Sequence, residues 1–230
     1  MIKFIVKDKT ELEKFVADRM ATIIKENKSP KFIFATGNSP VGVYKNLIKF
    51  HQNEGLSFKS LTSYNLDEYR DIEKYPEDSF RKFMDDNLFN HVDIDKSNTH
   101  FPDNLEDYDA DLDAIGLFDF TILGVGTNGH IAFNEPGTKF EARTKEIKLE
   151  QSTIESNFPG RDDYPTKAVT MGLYDIYNKS KEIILLAWGE GKREALNKLK
   201  AGIKTNDFPI THFIDHPNII VVTDIEDFKY

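Results

Sequence analysis

Lys31-Phe32-Ile33-Phe34-Ala35-Thr36-Gly37-Asn38-Ser39-Pro40 decides the fold class of this chain. Its first five residues form a short, nearly continuous apolar run, as in a strand buried on both faces of a parallel sheet. Thr36 to Ser39 then form a loop, and Pro40 suits the first turn of a helix whose apolar face is Val43, Tyr44, Leu47 and Ile48. Upstream, Met1 to Val6 reads as an opening strand. Thr10-Glu11-Leu12-Glu13 has the form of a capping box, followed by Leu12, Phe15, Val16, Met20, Ile23 and Ile24 at helical spacing. Downstream, Ser60 to Asn65 reads as a strand and places Asp67 just past its end, while Phe80, Phe83, Met84 and Leu88 mark a helix. Phe118 to Leu123, Ile183 to Trp188 and Ile219 to Val222 are further strands, with a helix over Lys192 to Lys200. Strands alternating with helices predict an α/β fold: a single domain over residues 1–230, built on a doubly wound, mostly parallel sheet with helices on both faces.

A chain of 230 residues that is 39% hydrophobic and 30% charged can bury a sizeable core in one domain. Cysteine is absent, which excludes a disulfide framework, a thiolate nucleophile and a Cys-ligated metal. The apolar run at the N-terminus meets Lys7-Asp8-Lys9 at once, too soon for a signal-peptide core or a membrane span, so a cytoplasmic location with no membrane partner is expected. A formal net charge of −9 opposes nucleic-acid binding, which needs clustered Lys and Arg. Any phosphate must then be held locally.

In open α/β sheets ligands bind at the carboxyl ends of strands, so the loops after the strands are the first places to look. Thr36-Gly37-Asn38-Ser39 offers hydroxyls, an approachable backbone at Gly37 and the positive end of the next helix, a combination that can cradle an anion. Its bland alternative is a Ser39 that merely caps the helix. Asp67-Glu68 could move a proton between neighbouring carbons if held near a substrate, although taken alone the pair reads as solvated.

The richest segment runs from Leu123 through Gly124-Val125-Gly126-Thr127-Asn128-Gly129-His130 to Glu135-Pro136. Glycines permit close backbone approach, with Gly124 at the strand end beside the expected ligand. Histidine is the side chain whose ordinary range spans neutral pH, and His130 has Asn128 and Glu135 nearby to orient it as an acid or base. The other histidines, His51, His91, His100, His212 and His216, lack such a setting. Gly124-x-Gly126-x-x-Gly129 matches a dinucleotide pattern, but that fingerprint belongs to a first strand-helix unit with an acidic residue about 20 positions later. Asn134-Glu135-Pro136-Gly137 also interrupts that helix early, so the dinucleotide reading fails.

These residues resemble the glucosamine-6-phosphate deaminase/isomerase family, within the wider group of galactosamine-6-phosphate isomerases and 6-phosphogluconolactonases. The likeness spans nearly the whole chain. Gly126 to Thr138 is its most specific element, supported in order by Ala35 to Pro40, by Asn65 to Tyr69 and by Gly189-Glu190-Gly191-Lys192. The resemblance implies an enzyme without metal or redox cofactor, acting on a small-molecule sugar phosphate. In it His130 assists opening of the pyranose ring, Glu135 supports His130, and Asp67 carries a proton from C2 to C1, giving fructose-6-phosphate and ammonia. Thr36, Gly37, Asn38 and Ser39 would hold the phosphate with Lys192, and Glu68 and Gly124 would line the substrate.

Three departures from the family pattern carry expectations of their own. Asn38 replaces a common second glycine, which either narrows the cradle or adds a side-chain donor to it. Asn128 stands where some members have Asp; an amide orients an imidazole but cannot stabilise an imidazolium, so Glu135 should carry more of that task. The family's lid arginine is missing from the polar stretch Leu149 to Lys167, which reads as an irregular lid, and Arg161 is expected to take its place. The resemblance leaves the C4 epimer and a lactonase-type hydrolase as alternatives. Family members occur as monomers and homo-oligomers, and the last strand is followed by no evident association helix, which favours a monomer.

Overall fold

A computed structural model describes residues 2–103 and 105–229; Met1 and Tyr230, the ends of the expected strand and chain, lie outside the described residues. In chain order the regular elements begin with β1 (Lys3–Val6), α1 (Lys9–Glu26), β2 (Lys31–Phe34), α2 (Val41–Glu54) and β3 (Thr62–Asn65). There follow β4 (Asp67–Tyr69), α3 (Phe80–Asn87), β5 (Thr99–His100), α4 (Leu105–Ile115) and β6 (Phe120–Gly124). The remainder comprises β7 (Lys145–Lys148), α5 (Gln151–Asn157), β8 (Lys167–Thr170), α6 (Leu173–Lys179), β9 (Ile183–Ala187), α7 (Arg193–Ala201) and β10 (Ile219–Thr223).

Seven strands form the main sheet in the order β1-β10-β9-β6-β2-β3-β5, and every neighbouring pair is parallel. The apolar runs read from the sequence are its central strands, and β9 is buried at every residue. Helices cover both faces, as expected. Ile33 and Phe34 of β2 lie opposite Tyr64 and Asn65 of β3, so Phe34 and Tyr64 project to opposite sides. Phe34 meets Tyr44 of α2 with ring centroids 5.7 Å apart, whereas Tyr64 meets Tyr108 of α4 at 5.6 Å.

From β2 the chain moves outward to β3 and β5, then returns to lay β6 on the other side of β2 before continuing to β9. That reversal makes the β2–β6 gap the topological switch point, where the loops after the two strands leave a crevice. Thr36 to Ser39 leave β2 there, and the glycine-rich segment leaves β6.

Two local expectations are corrected. Helix α1 is capped by Asp8, which accepts the Glu11 N–H at 2.9 Å, and Thr10 lies inside the first turn. The charged Asp8 side chain is available two residues earlier than the Thr10 hydroxyl. The polar stretch 149–167 is not irregular throughout, because it contains α5. Leu149, Ile154 and Phe158 are buried there with Tyr69, Phe133 and Ala168 in a small apolar cluster apart from the main core. Three apolar residues spaced four or five apart are too few to show a period in a polar background.

A second sheet, β4-β8-β7, is antiparallel and was not expected. Its strands are short and charged, and only partnership with each other makes them extended. Asp67 lies just past the end of β3, as expected, and through this second sheet it also opens β4 opposite Thr170 of β8.

Candidate active site

The loop after β2 is held at both ends and open in its middle. Gly37 has φ +82°, a left-handed backbone that an L side chain strains to adopt, and this turns the loop across the strand end. Tyr44 Oη donates to the Ala35 carbonyl at 2.5 Å, and Trp188 Nε1 donates to the Ser39 carbonyl at 2.9 Å. No backbone N–H of Gly37, Asn38 or Ser39 has a partner among the described residues. A cluster of free N–H groups before a helix is a place for an anion. Ser39 also faces the end of β6, since a Cβ built on Gly124 would stand 3.7 Å from its Oγ.

The segment after β6 is a compact double turn. Gly126 N–H donates to the His130 carbonyl at 2.9 Å, and Asn134 N–H closes a tighter turn on Ile131 at 2.9 Å. Ala132 takes φ +52° inside that second turn. His130 and Glu135 flank it and meet across it, with His130 Nδ1 3.3 Å from Glu135 Oε2. A Cβ on Gly126 would stand 2.3 Å from the His130 ring, so the glycine is required where the imidazole lies.

Glu135 is oriented by more than the histidine. Asn128 Nδ2 donates to Oε2 at 2.9 Å, and Thr153 of α5 donates to Oε1 at 3.4 Å. Burial alone would raise the Glu135 pKa, but His130, Asn128 and Thr153 together hold the carboxyl below its usual range. Asn128 Oδ1 accepts the His130 backbone N–H at 3.2 Å, so Asn128 orients the carboxylate and the loop rather than the imidazole ring. That division of labour agrees with Glu135 being the group that faces the ring.

Asp67 and Glu68 are both buried, at 7% and 1% exposure, and the solvated alternative fails. Alternation along β4 sends them to opposite sides. Glu68 accepts from Ser79 Oγ, from the Phe80 and Arg81 N–H groups and from its own neighbour Tyr69 N–H, at 2.8 to 2.9 Å. Its carboxylate thus ties β4 to the start of α3. Both oxygens of Glu68, expected to line the substrate, are engaged by donors within the protein. No side chain among the described residues donates to Asp67, and burial, assisted by the Glu68 charge, pushes its pKa from 3.8 up to about 8.

Tertiary contacts bring these groups to one end of the sheet. Thr170, the strand partner of Asp67, accepts the Phe133 N–H at 3.2 Å, which joins β4 and β8 to the His130 turn. Gly191 and Thr127 abut, a Cβ on the former standing 3.5 Å from Thr127 Cγ2. Lys192 ends the turn that begins at Gly189, is half-buried, and has no carboxylate partner among the described residues; burial lowers its pKa. An unpaired, partly desolvated ammonium attracts an anion strongly. Residues from β2, β4, β6, α5 and β9 therefore converge.

Arg161 is not brought into this group. Both oxygens of Asp78 accept from its guanidinium at 2.6 and 2.9 Å, and it lies over the Phe158 ring. The expected replacement for the lid arginine instead fastens the tail of 149–167 to the segment before α3. Thr153, Thr170 and Trp188 were missed: hydroxyls carry no periodic signal, and only the position of Trp188 immediately after a strand could have drawn attention. Among the described residues no group of three or more His, Asp or Glu side chains is spaced to hold a metal ion, and no helix is long and apolar enough to cross a membrane.

Known proteins resemble this chain over nearly its whole length. The chain is 42% identical over 225 residues to the glucosamine-6-phosphate deaminase of Malacoplasma penetrans, covering 92% of this chain and 93% of that protein. It is 39% identical over 227 residues to glucosamine-6-phosphate deaminase 1 of Bacillus subtilis, covering 94% and 93%. Among solved structures, a monomeric glucosamine-6-phosphate deaminase superimposes with a TM-score of 0.91 at 38% identity, over 98% of this chain and 97% of that one. The 6-phosphogluconolactonase of Thermotoga maritima gives a TM-score of 0.74 at 18% identity, covering 97% and 98%, which is a likeness of fold alone. Residues 8–221 match the family described as glucosamine-6-phosphate isomerases/6-phosphogluconolactonase, and with this match and these relatives the chain belongs to that family.

Proposed function

We propose that this protein is a glucosamine-6-phosphate deaminase of the isomerising type. The observation that carries the reading is the pairing of His130 with Glu135 at the same sheet end as a buried, unpartnered Asp67, in a chain about 40% identical to deaminases over nearly its full length. The substrate phosphate lies on Thr36, Gly37, Asn38 and Ser39, facing Lys192, and Gly124 lets the sugar approach the strand end.

With the phosphate held, His130 moves the proton that opens the pyranose ring, and Glu135, oriented by Asn128, stabilises the imidazole when it is charged. Asp67 takes the proton from C2 and returns it to C1, converting the aldose to a fructose imine phosphate. Water adds at the imine carbon and ammonia leaves, so the net change joins isomerisation to hydrolysis of a carbon–nitrogen bond. The chain acts as one domain over residues 1–230, with 149–167 as its lid, in the cytoplasm and as a monomer like the neighbour of highest TM-score given above.

Release of ammonia and fructose-6-phosphate from glucosamine-6-phosphate tests the reading, with galactosamine-6-phosphate and 6-phosphogluconolactone assayed in parallel. Ammonia from neither amino sugar rejects it. Partial transfer of deuterium from C2 to C1 is expected, and none if Asp67 is not a single proton carrier.

A further inference from the structure

We infer that Trp188 is a positioning residue for the phosphate loop, whose indole N–H turns the Ser39 carbonyl away from the anion so that the neighbouring N–H groups can face it. The inference rests on the reading of Thr36 to Ser39 and Lys192 as the phosphate site. Pro40 has no N–H, so the Ser39–Pro40 peptide can present only an oxygen to a ligand. A carbonyl oxygen turned toward a phosphate repels it. The Ser39 carbonyl precedes the N-cap of α2, and the first bond of the helix, Tyr44 N–H to the Pro40 carbonyl at 3.0 Å, passes it by. Trp188 supplies the donor instead, at 2.9 Å.

The indole is itself held in place. Trp188 follows β9 directly and leads into the Gly189 to Lys192 turn, so one residue joins the two halves of the phosphate site. The Lys9 ammonium lies 6.0 Å from its ring centroid, and Lys9 pairs with Glu13 at 3.6 Å. Glu13 in turn lies directly against Gly42 at the start of α2, where a Cβ would overlap its carboxylate at 2.0 Å. The chain ties both flanking carbonyls of the loop to protein donors, Ala35 to Tyr44 and Ser39 to Trp188, and leaves the N–H groups between them open.

Trp188→Phe keeps the ring and removes the N–H. Loss of one hydrogen bond of this kind raises KM for glucosamine-6-phosphate, and the inhibition constant of inorganic phosphate, together by about 3- to 10-fold. The value of kcat stays within about twofold, because the loss falls on binding common to substrate and transition state. Trp188 is the only tryptophan, so in the wild-type protein its emission should change saturably with inorganic phosphate, at the midpoint given by competition. Unchanged KM and inhibition constant in W188F, a fall in kcat at constant KM, or emission indifferent to saturating phosphate overturns the inference. Should inorganic phosphate fail to compete in the wild type while Lys192→Ala leaves KM unchanged, the phosphate reading falls and takes Trp188 with it. Equal competition in wild type and W188F removes only the role of Trp188.

Discussion

His130 Nδ1 stands 3.3 Å from Glu135 Oε2 across a turn in which Ala132 adopts a left-handed backbone. The two side chains are five residues apart and would diverge in an extended chain. Closure of the Asn134 N–H on Ile131 returns them to each other. Glu135→Gln keeps the shape and removes the charge that an imidazolium needs. We expect kcat to fall by about 10²-fold or more with little change in melting temperature. Steady-state rates near those of the wild type would show that the carboxylate is only a strut.

Asp67 makes activity and stability depend on pH in opposite senses. Its carboxyl must be ionised to accept a proton, so kcat/KM of the free enzyme rises about tenfold per pH unit up to a limb near 8, the value to which burial pushes it. Because the folded pKa is raised, the group's contribution to stability is full below its ordinary value of 3.8 and is lost as pH rises towards about 8. Asp67→Asn cannot ionise; its melting temperature should stay level across that window while the wild type declines. A wild-type limb at the ordinary carboxylate position would refute this.

Glu68 tunes that limb from behind. In Glu68→Gln the neighbouring charge disappears, and the limb of kcat/KM should move to lower pH. The amide cannot accept all four N–H and O–H donors now served, so unfolding free energy should fall by about 1–3 kcal/mol. Denaturant midpoints and pH profiles of one preparation read both effects, and an unmoved limb would separate Glu68 from the chemistry.

Gly126→Ala tests geometry without touching charge. The new methyl would stand 2.3 Å from the His130 ring, and that ring is the part able to move. A misplaced catalytic group costs about 10²-fold in rate, so kcat/KM should drop by that order while the protein remains folded. Wild-type turnover in this variant would mean that His130 acts from another rotamer.

Lys192 and Arg161 should part company on KM. Lys192→Ala removes a half-buried, unpaired ammonium and should raise KM about 10-fold or more, as for a lost charge-assisted bond to phosphate. Arg161 is engaged by Asp78, and Arg161→Ala should leave KM within about twofold. A large KM effect in the second variant would restore Arg161 as the lid's phosphate partner.

The sequence by itself determined the parallel sheet and the places where ligands could bind. Apolar runs such as Ile183 to Ala187 can be buried on both faces only between helices, and the loops after them carry the glycines, His130 and Lys192. Those are local properties of composition and spacing. The antiparallel β4-β8-β7 sheet, the capping of α3 by Glu68 and the tie of Arg161 to Asp78 depend on segments up to about a hundred residues apart, and no periodic signal announces such partners. The same limit explains why composition and spacing alone do not separate Asp67 from Glu68, adjacent and alike in chemistry: pleating sends one carboxylate to the donors of α3 and leaves the other buried without any. Burial and pairing are properties of the folded neighbourhood, and they leave Asp67 without a donor while Glu68 is fully engaged.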